Sequence, residues 1–357
     1  MKTKEHIEVL LAHIANGDEK VQYDADAIIA TYQKHDHGHQ SIAVKILSVV
    51  GGILASLAFI GFLFLVGLYD SEVGLFFLGA VSIAGSALLS RKADKIIMDT
   101  LCVSFFIIGF VLLGVGLDKM QVNANIIFTV FIGIAFCSLV FVQTYILSFV
   151  ALLIVNGSIL TLILSNRQYN LVSLYVAVMA LLMAWLFLKE ASIITSNKAL
   201  SRLYNPLRTG LVFSFLAGLV LVGKNGLVHA YFSYSWLCSV VIIAAIVYVV
   251  FQLFAILNIT KMQHKILISV FTVLVLLPTL SSPAISGAIL IILLSFLIND
   301  KTGFVLGVLA FIYFISQYYY DLNITLLTKS ILLFSSGILF IVIYLFTHIK
   351  LGTNEKN

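Results

Sequence analysis

The chain has 357 residues, and its composition is that of a membrane protein. Hydrophobic residues make up 61% of it and charged residues only 10%, whereas soluble domains carry about a quarter charged residues. This excludes soluble globular, disordered, collagen-like and coiled-coil chains. The net charge of +5 does not indicate nucleic acid, because basic residues concentrate in the cytoplasmic loops of membrane proteins. We therefore expect an all-α integral membrane protein embedded in the lipid bilayer, with no nucleic-acid partner.

Residues 1–45 form a polar segment with helical periodicity. Apolar residues recur at helical spacing from Ile7 to Ile14, Asn16-Gly17 then indicates a helix end, and a second helix is predicted over about 19–33. The pattern predicts a small cytoplasmic helical hairpin and linker. Because it is too short to bury a core alone, we expect it to pack on the membrane domain, a partner or the lipid surface. The first apolar run, near Ile46, should act as an uncleaved signal-anchor.

Three histidines close this polar segment. His35, His37 and His39 alternate with Asp36 and Gly38, and imidazole groups at such spacing can bind zinc, copper or nickel. A flexible, hydrated linker accounts for them as well, because folded metal sites need fixed ligands. The three cysteines show no CxxC spacing, so they predict neither a zinc site nor a disulfide framework. We therefore predict no metal, cofactor or catalytic residue, and whether the histidines bind metal stays open.

Apolar runs of membrane-spanning length follow one another from residue 46 to residue 348. A helix needs about 20 apolar residues to cross the hydrocarbon core. By this criterion we predict about twelve spans: Ile46–Leu68, Val73–Leu89, Asp99–Leu117, Ala124–Val142, Tyr145–Leu164, Leu171–Leu188, Thr209–Val222, Trp236–Leu257, Ile266–Leu280, Ala284–Leu297, Gly303–Tyr319 and Leu322–Thr347. The short runs around Pro278 and Pro283 could instead form one re-entrant pair over 266–297, which would lower the count to ten or eleven. Residues 349–357 form a short tail.

The basic residues give this topology an orientation. With a cytoplasmic N-terminus, 17 of the 21 Lys and Arg residues fall in inner segments and 4 in outer ones, namely Lys119, Arg167, Lys224 and Lys329. This asymmetry matches the positive-inside bias. We therefore predict that the N- and C-termini are both cytoplasmic.

The longest inner connector, 189–208, divides the predicted spans into six plus six. Such halves are typical of duplicated transporters, although no internal repeat is visible. Ser196 could cap a short surface helix that ends at Asn205-Pro206.

Polar groups inside the predicted spans are few, and no span carries an acidic residue at its centre. Asn156, Ser158, Gln252 and Thr272 lie near mid-depth, and we expect them to form hydrogen bonds between helices. Gly51 with Ala55, and Gly52 with Ser56, have the spacing that allows close helix approach. The sequence therefore predicts neither a proton relay nor a carboxylate-based ion site.

The densest cluster of candidate functional residues lies before the last predicted span. Tyr320 belongs at the outer membrane interface, where aromatic rings settle, and Asp321 is expected to cap the last helix. Lys329 lies two turns further along and can extend back toward Asp321, with Thr325 one turn away. A capped and anchored helix start accounts for most of this pattern. The buried lysine near a carboxylate is nevertheless the best candidate functional locus.

The same stretch carries a family resemblance. The run YYYDLNITLLTKSILLFSSGILFIVIYL, residues 318–345, resembles the bacterial membrane proteins of domain of unknown function 4401. The matching positions are Tyr319, Tyr320, Thr325, Leu326, Lys329, Ser330 and Gly337. The N-terminal hairpin also resembles the polar head of a related membrane family. The resemblance implies a location in the bacterial inner membrane, and it implies no activity.

Three functions are compatible with the sequence. We favour a structural or regulatory membrane component that acts with a partner membrane protein, because the chain is extremely apolar and its outer loops are short. A small-molecule transporter or permease is the alternative, supported by the number of spans. An enzyme acting on a lipid-linked substrate ranks last, since it needs converging acids or histidines at one leaflet. The sequence leaves the oligomeric state open.

Overall fold

The computed structural model describes residues 42–67, 70–90, 96–223, 235–256 and 261–321, with ten scattered positions between 325 and 341. The predicted N-terminal hairpin, with His35, His37 and His39, and the C-terminal tail lie outside the described residues. The chain divides into two compact units: unit 1 ends at Gly116, and unit 2 begins at Leu117.

The described part of the chain is helical and contains no β-strand. Its helices are α1 (Ile42–Leu65), α2 (Glu72–Ser90), α3 (Ile96–Lys119), α4 (Ala124–Phe141), α5 (Tyr145–Ser165), α6 (Asn170–Leu188), α7 (Glu190–Ser196), α8 (Lys198–Gly223), α9 (Ser235–Ile256), α10 (Met262–Leu276), α11 (Pro283–Leu297) and α12 (Lys301–Asp321). A 3₁₀ segment, Leu277–Ser281, joins α10 to α11.

Nine of the described helices are long and apolar enough to cross a membrane. Two further apolar segments, Leu54–Leu63 within α1 and Pro283–Leu297 (α11), are shorter. The all-helical membrane architecture is thus confirmed, whereas twelve spans are not reached among the described residues. The last predicted span, Leu322–Thr347, is described only at scattered helical positions from 327 to 341.

The predicted helix end at Asn205-Pro206 is wrong. Helix α8 runs through Pro206 without interruption, from Lys198 to Gly223. Proline is tolerated inside membrane helices, because neighbouring groups can bond the backbone carbonyl that it leaves without a donor. The predicted Ser196 cap is wrong as well. Asn197 caps α8 instead, since its Oδ1 accepts from the Ala199 N–H at 3.1 Å.

Unit 1 is held together by close contacts between small residues. Gly79 of α2 and Gly109 of α3 face each other, and a Cβ on Gly109 would lie 2.9 Å from the Gly79 carbonyl oxygen. Ser104 of α3 donates to the Gly52 carbonyl of α1 at 3.0 Å, and Ser56 lies beside the same contact. The predicted Gly52–Ser56 packing face is therefore confirmed. Gly51 and Ala55 are exposed and lie on the other side of α1.

The largest described hydrophobic cluster of unit 2 is built mainly from four helices. Buried residues of α6, α8, α9 and α11 pack together, with Phe314 of α12. Helices before and after the basic connector 189–208 therefore share this core. The boundary between the two compact units lies at Gly116 and not at the connector, where the predicted six-plus-six division places it.

Helices α8 and α11 run antiparallel along the core of unit 2. A Cβ on Gly223 would lie 2.7 Å from the Ala284 Cβ, and one on Gly287 would lie 2.6 Å from Leu219 Cδ1. At the other end, Arg208 pairs with Asp300, just after α11. Successive contacts therefore occur at decreasing residue numbers on α8 and at increasing residue numbers on α11. They extend from Gly223 to Arg208, which is about 22 Å of α8 at 1.5 Å per residue.

This arrangement bears on the alternative of a re-entrant pair over 266–297. The two helices concerned have different surroundings: α10 packs on α9 and is the least buried of the candidate spans, whereas α11 is buried along α8 from Gly223 to Arg208. A re-entrant hairpin would turn back at mid-depth, so the full-length contact with α8 favours a separate pass for α11.

Candidate functional site

The structure describes three of the four residues of the candidate locus predicted from the sequence. Tyr320, Asp321 and Thr325 are described, and Lys329 lies outside the described residues. Tyr320 is 75% exposed, and its ring lies 5.7 Å from that of Tyr319 in an edge-on contact. The pairing of Asp321 with Lys329 therefore stays a prediction.

Asp321 does not cap the last helix as expected. It is the final residue of α12, where its Oδ1 accepts a hydrogen bond from Gln317 Nε2 at 3.0 Å. Its buried Oδ2 has no partner among the described residues. Thr325 occupies the capping position instead, because its hydroxyl accepts from the Thr328 N–H at 3.4 Å and contacts the Thr328 hydroxyl at 2.8 Å. A helix cap accepts from the N–H two or three residues after it, and Thr325 lies three residues before Thr328.

A charge cluster at one end of unit 2 was not predicted. Arg208 lies on α8, two residues after Pro206, and its side chain is 18% exposed. Its Nη2 lies 3.4 Å from Asp300 Oδ1, and its Nη1 lies 3.8 Å from Glu190 Oε1. The side chains of Asp300 and Glu190 are 9% and 31% exposed. Arg208 thus joins the start of α7, α8 and the α11–α12 turn.

Tyr204 completes the charge cluster from one turn earlier on α8. The Arg208 guanidinium carbon lies 5.6 Å from the centre of its ring, a cation–π distance. Tyr204 is 1% exposed, and neither its hydroxyl nor Arg208 Nε has a hydrogen-bond partner in the described part of the chain.

The backbone between α11 and α12 places Asp300. Asn299 adopts a positive φ of 57°, and the Asp300 N–H bonds the Ser295 carbonyl at 2.8 Å. This is the bonding of a Schellman helix end, for which Asn is suitable. Asp300 Oδ1 then accepts from the Thr302 N–H at 3.3 Å. Gly303 is required here, since a Cβ would lie 2.7 Å from Asp300 Oδ2.

The charge cluster is arranged for helix attachment. Two carboxylates and one guanidinium leave a net charge of about −1, and Arg208 contacts both acids. Within the described ranges, no group of three His, Cys, Asp or Glu side chains is placed to hold a metal. The chemistry that these residues support is the joining of three chain segments through one arginine, whose planar group can serve two carboxylates at once.

A second polar group lies inside the core of unit 2. The Tyr175 hydroxyl donates to Asn156 Oδ1 at 3.1 Å and lies 3.4 Å from the Ser214 carbonyl oxygen. Asn156 also donates to the Leu152 carbonyl at 3.0 Å. Gly218 of α8 makes room for the Tyr175 ring, because a Cβ there would lie 3.1 Å from Tyr175 Cε1. This core network joins α5, α6 and α8.

The predicted role of the mid-depth polar residues is therefore confirmed for Asn156, which bonds another helix. Gln252 is exposed, and its amide donates to Tyr248 on its own helix at 3.2 Å. Thr272 bonds the Ile268 carbonyl of its own helix at 2.8 Å. The prediction of bonds between helices is thus wrong for these two, since each side chain bonds within its own helix. Ser158 is buried.

The sequence held one signal for the charge cluster. Arg208 borders a predicted span, and Glu190 and Asp300 are acids in segments otherwise rich in basic residues. The alternating topology also assigns all three to the same side. Their mutual contact could not be read from helical spacing, because Glu190 lies 18 residues and Asp300 lies 92 residues from Arg208.

The fold and these contacts define a multi-pass, all-helical membrane protein. The chain belongs to the DUF4401 family, described as a domain of unknown function, whose family model matches residues 42–348. No curated protein and no solved structure matches the chain.

Proposed function

We propose that this protein is a structural or regulatory component of the bacterial inner membrane, acting with a partner membrane protein and not as an enzyme. Its N- and C-termini would both be cytoplasmic, as the distribution of Lys and Arg predicts. In this orientation the charge cluster of Arg208, Glu190 and Asp300 lies at the cytoplasmic end of unit 2.

The observation that carries this proposal is the closed core network. Transporters bind their substrates near mid-depth through polar groups that face a cavity. Here Asn156 and Tyr175 are buried and bond to each other. These groups serve the attachment of α5, α6 and α8, which supports a structural role over the transporter alternative.

The exposed surface of α10 supports a partner. Leu267, Phe271 and Leu274 are exposed large apolar residues at a spacing that brings them to one side of this helix. Because lipid tails also cover apolar helix surfaces, the presence of a partner protein at α10 needs a direct test. We place the enzyme last because Asp321, the outer acid of the candidate locus, bonds Gln317, whereas catalysis on a lipid-linked substrate needs acids or histidines that converge at one leaflet.

Photo-crosslinking in native membranes tests the partner. A photoreactive residue is introduced into the full chain at Leu267 or at Leu274, which lie two turns apart on α10. We expect one protein adduct of the same mass from both positions. Ala288, which is fully buried in α11, is the matched control and should give no intermolecular adduct. Absence of an adduct at both α10 positions contradicts the partner.

Reconstitution tests the transporter alternative. The purified full chain is placed in vesicles, and the flux of protons, alkali ions and small neutral solutes is compared with that of empty vesicles. We expect no difference. A flux that Asn156→Leu abolishes, while the exposed variant Gln252→Leu retains it, would replace our proposal by the transporter.

Cysteine labelling tests the orientation. In a chain whose three native cysteines are replaced by alanine, single cysteines are placed at Lys198 and Lys224. A membrane-impermeant reagent added outside should reach position 224 and not position 198. Labelling of position 198 from outside would reverse the topology.

A further inference from the structure

An open groove lies between α6 and α9 in unit 2. It has a volume of about 280 Å³ and an almost wholly apolar lining. Ala184 and Ala245 are buried, while Leu181 and Trp185 on α6 and Tyr248 on α9 are exposed. The small buried side chains form the floor of the groove and the large exposed ones form its sides. The groove is therefore open at the outer surface of the helix bundle.

One end of the groove is polar. Lys189, directly after α6, belongs to the lining and is exposed. Tyr248 lies in the second half of α9 and bonds the Gln252 amide through its hydroxyl. In the alternating topology α6 and α9 run in the same direction, so these groups lie at the same end. The groove is thus apolar along its length and cationic where the two helices reach the membrane surface.

The charge of Lys189 is available to a ligand. Arg208 forms ion pairs with Glu190 and with Asp300. Glu190, the carboxylate next to Lys189 in sequence, is therefore engaged by Arg208. Among the described residues Lys189 has no carboxylate within ion-pair distance.

We propose that this groove binds an anionic phospholipid, with an acyl chain along α6 and α9 and the phosphate group at Lys189. Basic pockets between membrane helices bind anionic headgroups on the cytoplasmic side, which is the side that the distribution of Lys and Arg assigns to Lys189. Trp185 and Tyr248 are suited to the boundary between acyl chains and headgroups. The charge of the ligand and its apolar tail are both matched by residues of this chain.

The groove suits part of one acyl chain in both size and lining, since its volume is about 280 Å³ and its lining is mainly apolar.

The fluorescence of Trp185 can report which lipid occupies the groove. The chain has two tryptophans, so Trp236→Phe leaves Trp185 as the only one. The full chain carrying this change is reconstituted in vesicles of brominated phosphatidylcholine, which quenches tryptophan on contact. Part of the brominated lipid is then replaced by unbrominated phosphatidylglycerol or, in parallel, by unbrominated phosphatidylcholine. The recovery of fluorescence gives the relative binding of the two lipids at Trp185.

We expect phosphatidylglycerol to bind about five times more strongly than phosphatidylcholine, the effect of one lysine near an anionic lipid. Lys189→Gln should reduce this ratio to about one. Lys261→Gln removes the same charge from an exposed position before α10 and should leave the ratio unchanged. Ala244→Phe, which adds bulk to the groove lining, should reduce quenching by the brominated lipid.

Three results would overturn the proposal. Equal binding of the two lipids to the chain with Lys189 intact would show that the headgroup charge is not recognised. If Lys189→Gln and Lys261→Gln reduced the preference for phosphatidylglycerol equally, the preference would reflect general attraction to the vesicle surface. Brominated lipid could quench Trp185 only weakly, and Ala244→Phe could leave this quenching unchanged. Together these two results would show that lipid does not enter the groove, as expected if a protein segment fills it.

Discussion

Unit 1 and unit 2 hold their helices together in different ways. In unit 1, α2 and α3 approach through Gly79 and Gly109 until backbone meets backbone. In unit 2, a core network joins α5, α6 and α8, and a charge cluster joins α7, α8 and the α11–α12 turn. Lipid tails are as apolar as leucine, so membrane helices associate through close packing and hydrogen bonds. Unit 1 uses both, because Ser104 of α3 also donates to the Gly52 carbonyl of α1, whereas unit 2 adds an ion pair. Substitutions in the two units should therefore act through different physical terms.

The largest effect is expected from Arg208→Met in unit 2. It leaves Glu190 and Asp300 near each other without their shared cation, and because the three side chains are partly exposed the cost is up to about 3 kcal/mol, the lower end for buried ion pairs. Denaturant unfolding in detergent micelles should show this loss. Arg202→Met, an exposed arginine on the same helix, is the control and should have little effect.

The charge cluster can be tested further by removing its acids. Adding Glu190→Gln and Asp300→Asn to Arg208→Met should restore part of the lost stability, because uncompensated charge is removed. If the triple variant is no more stable than the single one, the attraction between Arg208 and the two acids does not stabilise unit 2.

The next effect is expected in unit 1, from Gly109→Ala. The added Cβ would lie 2.9 Å from the Gly79 carbonyl oxygen and 3.0 Å from the Ile83 N, so α2 and α3 must move apart. Overpacking of this kind costs about 1–3 kcal/mol, measurable as a lower midpoint of thermal unfolding. Gly85→Ala, at a helical position with open space, should be neutral or stabilising, because alanine favours helices. Equal effects of the two variants would contradict the close contact.

A smaller effect is expected from Tyr175→Phe in the core network. The change removes one hydroxyl that donates to Asn156 Oδ1, and hydrogen bonds between membrane helices contribute about 0.6 kcal/mol on average. A double-mutant cycle with Asn156→Leu should give a coupling of that size. Tyr248→Phe, at an exposed position, provides the comparison. Simple additivity would mean that Asn156 and Tyr175 are not coupled.

The smallest effect is expected from Thr325→Ala. Loss of the acceptor for the Thr328 N–H removes a helix cap, which costs about 0.5 kcal/mol, the low end for helix caps, because this hydrogen bond is long at 3.4 Å. Asp321→Asn should change stability less than this if Asp321 has only Gln317 as its partner. Asp321→Asn could instead lower stability clearly in the chain with Lys329 intact and have no effect in the Lys329→Met variant. That result would establish the predicted pairing of Asp321 with Lys329.

Much of the architecture could be predicted because it depends on local apolarity. The predicted spans Ala124–Val142, Tyr145–Leu164 and Leu171–Leu188 differ by one residue at most from the ends of α4, α5 and α6. The Gly52–Ser56 face and the buried role of Asn156 were also correct, since small and polar residues inside spans usually face other helices.

The errors arose where a residue's role depends on its neighbours in space. Pro206 has the sequence signature of a helix end, yet α8 continues through it. Asp321 has the residue type of a helix cap, but it ends α12 and Thr325 takes that position. Gln252 lies within a span and faces outward, which helical spacing alone cannot decide when apolar residues surround the helix on all sides.

The sequence alone determined that the chain is a bundle of membrane helices and predicted its orientation, because the bilayer selects apolar length and the charge bias selects the side. Only the tertiary structure decided which polar residues meet. Arg208, Glu190 and Asp300 lie in three separate segments, and the groove between α6 and α9 is formed by helices that do not follow each other in the chain. Such contacts result from helix packing, which depends on the fit of many side chains and not on any one local pattern.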